Sequence, residues 1–530
     1  MNSRIWSSSL IIPVACWLTL PVAGVVRAGI PDENGGEEIK VIDMHTHVFN
    51  ARDLPLTGVL NALGAPRSVA VIVAGTILAS MKRESDESKR ELSTEELEHP
   101  TVRALSKTQR NILSDYLGPD RLSVMTEATK VLSVSYDAAL LAQTLAKIGF
   151  PADDHPGKRF RIPTIPELKG GLRIIGILTR QHGEIAATLR KRYPEVDLFV
   201  HHMMDMSEAY ADKPTVPFDH QLELMQRLDA AFPGKLLHFA AFDPFRRQDA
   251  LALAERAFTE FAAVGFKIYP PSGYRAAENM ANGFPPKPPA TDNWAMKRWN
   301  SRYDKWTAED LDKTLQSVFD WTVRKKGIPL FTHCTPGGFE ADNGYGKMAD
   351  PFFWASALKK RDNAGFRLCF GHSGGEAYWF SDPADDSAHT ATPPGDDWQF
   401  GNQVVDLCLT YPDVYCEVGY LDGILDPKKV GVLLKRLECV VNRPSKDGKW
   451  RFGDKLMYGT DWHMIIQEPR YETYLARWDD LIKKVDNGTW RRAFFAGNAK
   501  KFLRLDELAK DARFTPEQKK EWSDLSSAIK

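Results

Sequence analysis

Short apolar runs alternate with longer amphipathic segments along most of this chain. The runs cover residues 40–42, 197–200, 236–242, 264–269, 328–332, 366–371, 414–419 and 455–460. Segments between them have helical spacing, as in residues 308–326. Eight strands that alternate with helices are typical of a closed parallel barrel. We therefore predict an α/β fold of the (β/α)8 TIM barrel class, whose functional groups lie at the carboxyl ends of the strands.

The connection after the first predicted strand is unusually long. It spans residues 49–195, with helical patterns at 69–82, 101–117 and 137–148 and a charged run at 82–98. A loop of this length exceeds the usual strand-to-helix connection. We predict a mainly helical insertion that covers the catalytic face, with an oligomer contact as the alternative. The barrel is predicted for residues 40–505 and a C-terminal helical tail for residues 506–530.

The first run ends in Asp43-Met44-His45-Thr46-His47. An extended strand places residues 43, 45 and 47 on one face, so the two imidazoles converge. Neutral histidines bind divalent metals through one nitrogen, while an acceptor such as Asp43 can hold the other. Because a lone His-x-His is a weak signal, the metal hypothesis depends on ligands further along the chain.

Further candidates, His333, His372 and Asp461, end the fifth, sixth and eighth runs. In chain order, the motifs DMHTH, GFKIYP, FTHCTP, CFGHSGG and MYGTDWH resemble the amidohydrolase superfamily. The closest branch is the amidohydrolase-related family that includes the aminocarboxymuconate semialdehyde decarboxylase-like enzymes. The resemblance covers roughly residues 40 to 505. It implies that the first metal is bound by a set from three strands: His45, His47, His333 and Asp461.

Lys267 bears on the number of metals. Its context, GFKIYP, resembles the strand on which dihydroorotases carry a carboxylated lysine between two zinc ions. An unmodified ammonium beside a metal is disfavoured, so the side chain would be modified, neutral or paired with an acid, such as Glu417 or Asp243. His372 would be a ligand in a two-metal site and would hold or protonate water or substrate in a one-metal site.

The resulting set of nitrogen and carboxylate ligands suits one or two Zn2+ ions, with Mn2+, Fe2+ or Co2+ as alternatives. Such a metal generates hydroxide near neutral pH and polarises a carbonyl. Asp461 can accept the water proton and return it to the leaving group. We therefore predict hydrolysis of a C–N or C–O acyl bond in a small molecule. The alternatives are decarboxylation or hydration of an unsaturated or aromatic acid and, from another class, a non-catalytic binding barrel.

Other polar residues near strand ends allow two interpretations each. Only one of His201 and His202 can point into the barrel mouth, since neighbours on a strand face opposite sides. Glu417 is expected to accept from a histidine or from Lys267, or to be structural. Arginines after the third strand would bind a substrate carboxylate or form a helix-start salt bridge. These arginines are Arg246 and Arg247, and the acidic residue beside them is Asp243.

Two later loops, at residues 270–303 and 373–401, are rich in Pro, Gly and polar residues. Their large side chains form an aromatic, partly basic pocket wall or pack on the barrel. The candidates are Tyr274, Arg275, Trp294, Trp299, Tyr378 and Trp379.

Composition agrees with a large enzyme. The 530 residues are 43% hydrophobic and 26% charged, which is ample for one barrel with insertions. The net charge of −1 argues against a broad nucleic-acid surface, so the expected partner is a small-molecule substrate, with a homo-oligomer possible. The cysteines at 334, 369, 408, 416 and 439 lack paired spacing and predict buried thiols. Cys334 should face away from the metal.

The N-terminus has the pattern of an export signal. Arg4 precedes an apolar stretch at residues 10–26, and Ala28 fits a cleavage site. We predict a signal peptide at residues 1–28, a bacterial periplasmic location and no stable membrane anchor after cleavage. A retained anchor is the alternative, and a lipoprotein at Cys16 is disfavoured by Pro13.

Overall fold

The structure is a computed structural model. It describes residues 30–31, 38–62, 74–75, 78, 173–174, 176–210, 212–279, 307–342, 344–362, 364–389, 395–485 and 489–529. The predicted signal peptide, most of the helical patterns at 69–82, 101–117 and 137–148, and the side chains of Trp294 and Trp299 lie outside these residues. Those expectations stay predictions.

Eight parallel strands form one sheet in sequential order, β1 to β8. They are β1 Ile42–Thr46, β2 Leu198–His202, β3 Leu236–Phe242, β4 Gly265–Ile268, β5 Leu330–Thr332, β6 Leu368–Phe370, β7 Val414–Glu417 and β8 Leu456–Met457. The backbone nitrogen of Met44 donates to the carbonyl of Tyr458 at 3.0 Å, which links the last strand to the first. The predicted (β/α)8 TIM barrel is confirmed, and every predicted run overlaps one strand.

Helices connect the strands on the outside of the barrel. The longer ones are α1 Leu56–Ala62, α2 His182–Arg192, α3 Phe218–Ala231, α4 Gln248–Thr259, α5 Ala308–Arg324, α6 Phe352–Lys359, α7 Asp397–Thr410, α8 Val430–Val440, α9 Tyr474–Val485 and α10 Pro516–Ala528. Single-turn helices are Glu376–Trp379, Asp386–His389, Trp462–Ile465, Thr489–Arg492 and Leu505–Leu508, and a π-helix Ala493–Gly497 leads into Asn498–Leu503. Helix α5 begins at a capping box formed by Thr307 and Asp310, which satisfies the first backbone nitrogens.

The C-terminal tail packs beneath the barrel. Trp522 of α10 is fully buried and belongs to the same apolar cluster as Leu198 and Val264, which lie at the start of β2 and just before β4. The tail therefore closes the end of the barrel opposite the carboxyl ends of the strands.

The five cysteines among the described residues are free thiols. Four are buried as predicted, whereas Cys439 is exposed. Cys334 belongs to the larger apolar cluster, which includes the helices, and so faces away from the site of its neighbour His333, since successive residues of an extended chain face opposite sides. Cys369 belongs to the smaller cluster, which includes residues of the strands and Trp522.

The long insertion is described only at its two ends. His182 of α2 and Asp53 lie 2.6 Å apart between Nε2 and Oδ2, so the ends meet beside β1. The covering role of residues 49–195 stays a prediction. Among the described residues, no helix has both the length and the apolar character needed to cross a membrane.

Candidate metal centre

The end of β1 brings His45 and His47 together, as predicted. Their ring centroids lie 5.3 Å apart, and both side chains are buried. The expected contact of Asp43 was wrong: its carboxylate accepts from the backbone nitrogens of His45 and Thr460, at 3.1 and 2.9 Å, and so supports the backbone instead of a ring. The pairing of β1 with β2 shifts register between Asp43 and Thr46, which interrupts the simple alternation of an extended strand.

One nitrogen of each of these rings is held by an acceptor. His45 Nδ1 lies 2.9 Å from Glu417 Oε1, and His47 Nδ1 lies 2.7 Å from the carbonyl oxygen of His202. Because a carbonyl oxygen only accepts, Nδ1 of His47 carries a proton and Nε2 of the neutral ring keeps a lone pair. That lone pair faces a second acceptor, Asp461 Oδ1, at 3.5 Å.

His333 and His372 repeat this pattern. His372 Nδ1 lies 2.8 Å from the carbonyl oxygen of Gly419, and His333 Nε2 lies 2.9 Å from that of Gly337. The remaining nitrogens, Nε2 of His372 and Nδ1 of His333, face each other at 3.1 Å. Burial lowers the pKa of His372 to about 3 and that of His333 well below its usual range, so the rings are neutral and two lone pairs meet.

Asp461 stands immediately after β8 in a left-handed backbone conformation, with φ 46°. Such a conformation costs energy in a residue other than glycine and is a common feature of functional sites. Oδ1 is buried and accepts no hydrogen bond from the part of the chain that the structure describes. Burial raises the pKa of Asp461 to about 7, and the nearby Lys267 opposes the shift.

Glu417 at the end of β7 connects the two pairs of histidines. It faces His45 Nδ1 and accepts from the backbone nitrogens of His372, at 2.7 Å, and Gly419. Burial raises its pKa to about 8, and these backbone donors oppose the shift. The expectation that Glu417 accepts from a histidine is met.

Lys267 on β4 reaches the same cluster. Its Nζ lies 3.2 Å from His45 Nε2 and 4.3 Å from the ring centroid of Phe331. The hydrogen-bond partner is therefore His45 and not Glu417 or Asp243, the two acids considered from sequence. Burial lowers the pKa of Lys267 to about 8, although the carboxylates of Asp461 and Glu417 favour its charged form. A cation at His45 and a protonated Lys267 compete for one nitrogen.

The donor set fits a divalent metal. Ligand atoms of His45, His372 and Asp461 all lie within 4.8 Å of one another. His47 Nε2 and His333 Nδ1 face members of this group at the distances given above. Nitrogen and carboxylate donors with fixed tautomers are the chemistry that zinc and similar ions require. The structure thus gathers all six residues predicted as ligands, and their binding of metal stays a prediction.

The pair at the end of β2 divides as expected. His202 contacts the rings of His45 and Phe331, at centroid distances of 5.2 and 4.2 Å. His201 points outward, where Asp229 of α3 accepts from His201 Nε2 and from His238 Nδ1, both at 2.7 Å. These distances are those of hydrogen bonds, and this second buried group ties β2 and β3 to α3.

Residues after β3 form a salt bridge. Arg246 Nε donates to Asp205 Oδ2 at 2.5 Å, which corresponds to the structural alternative for Arg246. Asp243 accepts from the backbone nitrogen of Phe245 at 3.0 Å, and Arg247 precedes α4 with φ 61°. Burial raises the pKa of Asp243 well above its usual range.

Most of the described aromatic wall candidates lie in the core. Tyr274, Tyr378 and Trp379 are each about 1% exposed. Trp379 Nε1 donates to the carbonyl of Ser373, and Arg275 lies over the ring of Phe353 at 4.6 Å. The described parts of these loops pack on the barrel, as the alternative interpretation held.

Two residues near the centre were not singled out from sequence. The ring of Tyr269 lies 4.8 Å from that of His333, and the ring of His463 lies 5.9 Å from that of His47. Both belong to quoted motifs, GFKIYP and MYGTDWH, so proximity to a candidate ligand in sequence was the available signal.

Several solved structures resemble this one. They include 5-carboxyvanillate decarboxylase from Sphingomonas paucimobilis, with 14% identity, 62% of this chain and 85% of that chain covered, and a TM-score of 0.34. An amidohydrolase from Burkholderia multivorans with bound zinc has 12% identity, 62% and 91% coverage, and a TM-score of 0.37. For 4-oxalomesaconate hydratase from Rhodopseudomonas palustris the identity is 13%, 89% of this chain and 98% of that chain are covered, and the TM-score is 0.38.

No family model matches the chain, and no curated protein matches it. Because the identities and TM-scores are low, the fold assignment rests on the strand order itself.

Proposed function

We propose that this protein is a metal-dependent hydrolase that cleaves a C–N or C–O acyl bond of a small organic molecule. The observation that carries the proposal is that two pairs of buried hydrogen-bond acceptors face each other. Nδ1 of His333 and Nε2 of His372 lie 3.1 Å apart, and Nε2 of His47 lies 3.5 Å from Oδ1 of Asp461. A cation satisfies such an arrangement, whereas a further hydrogen-bond acceptor does not.

The proposed ligands are His45, His47, His333 and Asp461, with His372 as a ligand or a substrate contact. A divalent ion held there supplies a Lewis acid and a source of hydroxide near neutral pH. The resemblance of the sequence motifs to amidohydrolases supports this ligand set.

Asp461 is proposed to move the proton. Its carboxylate lies in the cluster with one oxygen that has no hydrogen-bond donor among the described residues. A carboxylate at this position can accept a proton from water and release it again. It would take a proton from the attacking water and return it to the leaving nitrogen or oxygen.

The first test is the metal content per chain, measured by elemental analysis on protein purified without chelators and with bicarbonate present. The metal-loaded protein is then assayed with nitrophenyl esters, nitroanilides and lactones, and in parallel with hydroxybenzoic acids for release of carbon dioxide. We expect one or two ions per chain and hydrolysis that chelation abolishes. Release of carbon dioxide without hydrolysis would replace this proposal with the decarboxylase, and protein that takes up no zinc, manganese or cobalt would overturn the metal site.

A further inference from the structure

A loop after β5 encloses one side of the His333 ring. His333 Nε2 lies 2.9 Å from the carbonyl oxygen of Gly337 and 3.0 Å from Oγ1 of Thr335. Thr335 also donates to the Gly337 carbonyl at 3.1 Å, and the Gly337 nitrogen donates back to Thr335 at 3.3 Å. Residues 335–339, called here the β5 loop, therefore leave only Nδ1 of His333 for the centre.

Two buried tyrosines hold the β5 loop through the backbone of one residue, Phe339. The backbone nitrogen of Phe339 donates to Tyr269 Oη at 2.7 Å, and Tyr210 Oη donates to the carbonyl oxygen of Phe339 at 2.8 Å. Tyr210 and Tyr269 are 1% and 7% exposed. Tyr269 follows β4 and Tyr210 follows β2, so the loop is held from two sides of the barrel mouth.

The position of Tyr269 is itself fixed. Its backbone nitrogen donates to Tyr274 Oη at 2.9 Å, and the Tyr274 side chain is almost fully buried. The Ala341 nitrogen donates to the Pro271 carbonyl at 3.0 Å, which ties the chain just after the β5 loop to the chain just after β4.

Gly338 makes the close approach possible. Its φ is +125°, and a Cβ there would lie 2.8 Å from Tyr269 Oη and 2.9 Å from His333 Nε2. A larger residue at this position would push the tyrosine, the loop or the imidazole out of place.

We propose that Tyr210 and Tyr269 are positioning residues, which hold the β5 loop so that its Gly337 carbonyl fixes the proton of His333 on Nε2 and presents Nδ1 to the metal. The inference rests on the proposed metal site. Acceptors that orient a ligating histidine commonly contribute about 10- to 100-fold to metal affinity.

The test compares Tyr269→Phe, Tyr210→Phe and the double variant with Tyr193→Phe. Tyr193 is a matched control, because it is 2% exposed and its hydroxyl has no hydrogen-bond partner among the described residues. Zinc affinity is measured by competition with a chelator, and the visible spectrum of the cobalt-substituted protein reports the geometry of the ligands. We expect about 10-fold weaker binding in each single variant, a changed cobalt spectrum and no change in the control.

Nitrogen-15 NMR of metal-free protein labelled in histidine provides a readout that needs no metal. The His333 signals are assigned by their loss in His333→Gln. We expect Nε2–H in the wild type and a mixture of tautomers in the tyrosine variants and in Gly338→Ala. This result decides the role of the tyrosines even if the wild type takes up no metal, which would overturn only the proposed function.

An unchanged His333 tautomer and zinc affinity in both tyrosine variants would overturn the inference. A fall in kcat alone, with affinity and tautomer retained, would also overturn it, because Tyr269 would then act on the substrate directly.

Discussion

His333 Nδ1 and His372 Nε2 lie 3.1 Å apart, although the other nitrogen of each ring carries the proton. The carbonyl oxygens of Gly337 and Gly419 hold those protons on the outer side of the rings. Two lone pairs at this distance repel each other unless a cation lies between them.

Metal removal should therefore destabilise the protein. Dialysis against a chelator is expected to lower the thermal midpoint, and added zinc to restore it. A ligand that binds only the folded state at about 100 times its Kd contributes about 2.7 kcal/mol. Differential scanning calorimetry measures the shift, with magnesium as a control because it prefers oxygen ligands. An unchanged midpoint would contradict the proposed metal site.

Asp461→Asn should abolish turnover and keep the fold. An amide cannot accept the water proton, and general-base catalysis typically contributes about 100- to 10,000-fold to the rate. Circular dichroism checks the fold, and steady-state kinetics measure kcat. Asp447→Asn, on an exposed loop, is the control. Turnover equal to the wild type in Asp461→Asn would refute the proton-transfer role.

Glu417→Gln should weaken metal binding about 10- to 100-fold. The carboxylate accepts from the backbone nitrogens of His372 and Gly419 and faces His45 Nδ1, whereas an amide offers one acceptor and places N–H donors against the others. Chelator competition measures the affinity. If the variant binds zinc as tightly as the wild type, Glu417 does not orient these ligands.

The pH dependence of metal affinity should depend on Lys267. Burial lowers its pKa to about 8, so below that pH the ammonium lies against His45 Nε2 and repels a cation, and above it the neutral amine no longer repels the cation. Zinc affinity should rise between pH 7 and 9 more steeply in the wild type than in Lys267→Met. Lys313→Met, on an exposed face of α5, should behave as the wild type. Bicarbonate that brings the metal content to about two per chain would identify a carbamate at Lys267 instead.

Asp229→Asn should destabilise the fold by about 1–3 kcal/mol at pH 7, because one imidazole N–H then faces an amide donor. The histidines lower the pKa of Asp229, so its contribution is complete above its usual pKa and is lost as the pH falls through the folded value. The gap between the urea midpoints of variant and wild type should therefore be full at pH 7 and should shrink as the pH is lowered below 4. Asp219→Asn, half-exposed on the same helix, should change stability by less than about 1 kcal/mol. Equal gaps at both pH values would contradict the ionised state of Asp229.

The strand pattern and the ligand motifs predicted much of this architecture. Each run is mainly apolar, because a barrel strand is buried on both sides, and three of the runs are followed by the candidate ligands His333, His372 and Asp461. Alternation along β2 also predicted that only one of His201 and His202 faces inward, as His202 does.

The sequence did not predict contacts that depend on tertiary packing. Asp43 accepts from the backbone nitrogen of Thr460, just before Asp461, a contact between residues too far apart in sequence to be read from the local pattern. For Tyr274 and Trp379 the sequence left a pocket wall and packing on the barrel open, and tertiary packing buries both. The tyrosines that hold the β5 loop are far apart in sequence, so their joint role appears only in three dimensions.

Folding of this barrel depends on late parts of the chain, because β1 pairs with β8 and α10 packs beneath the barrel. The backbone nitrogen of residue 44 donates to the carbonyl of residue 458, so β1 has no neighbouring strand on one side until β8 is available. Trp522 joins the apolar cluster of the strands later still. Contacts of such sequence separation slow folding, and an unpaired strand edge invites aggregation meanwhile. A chain built in this way depends on its last thirty or so residues to end a prolonged partly folded stage.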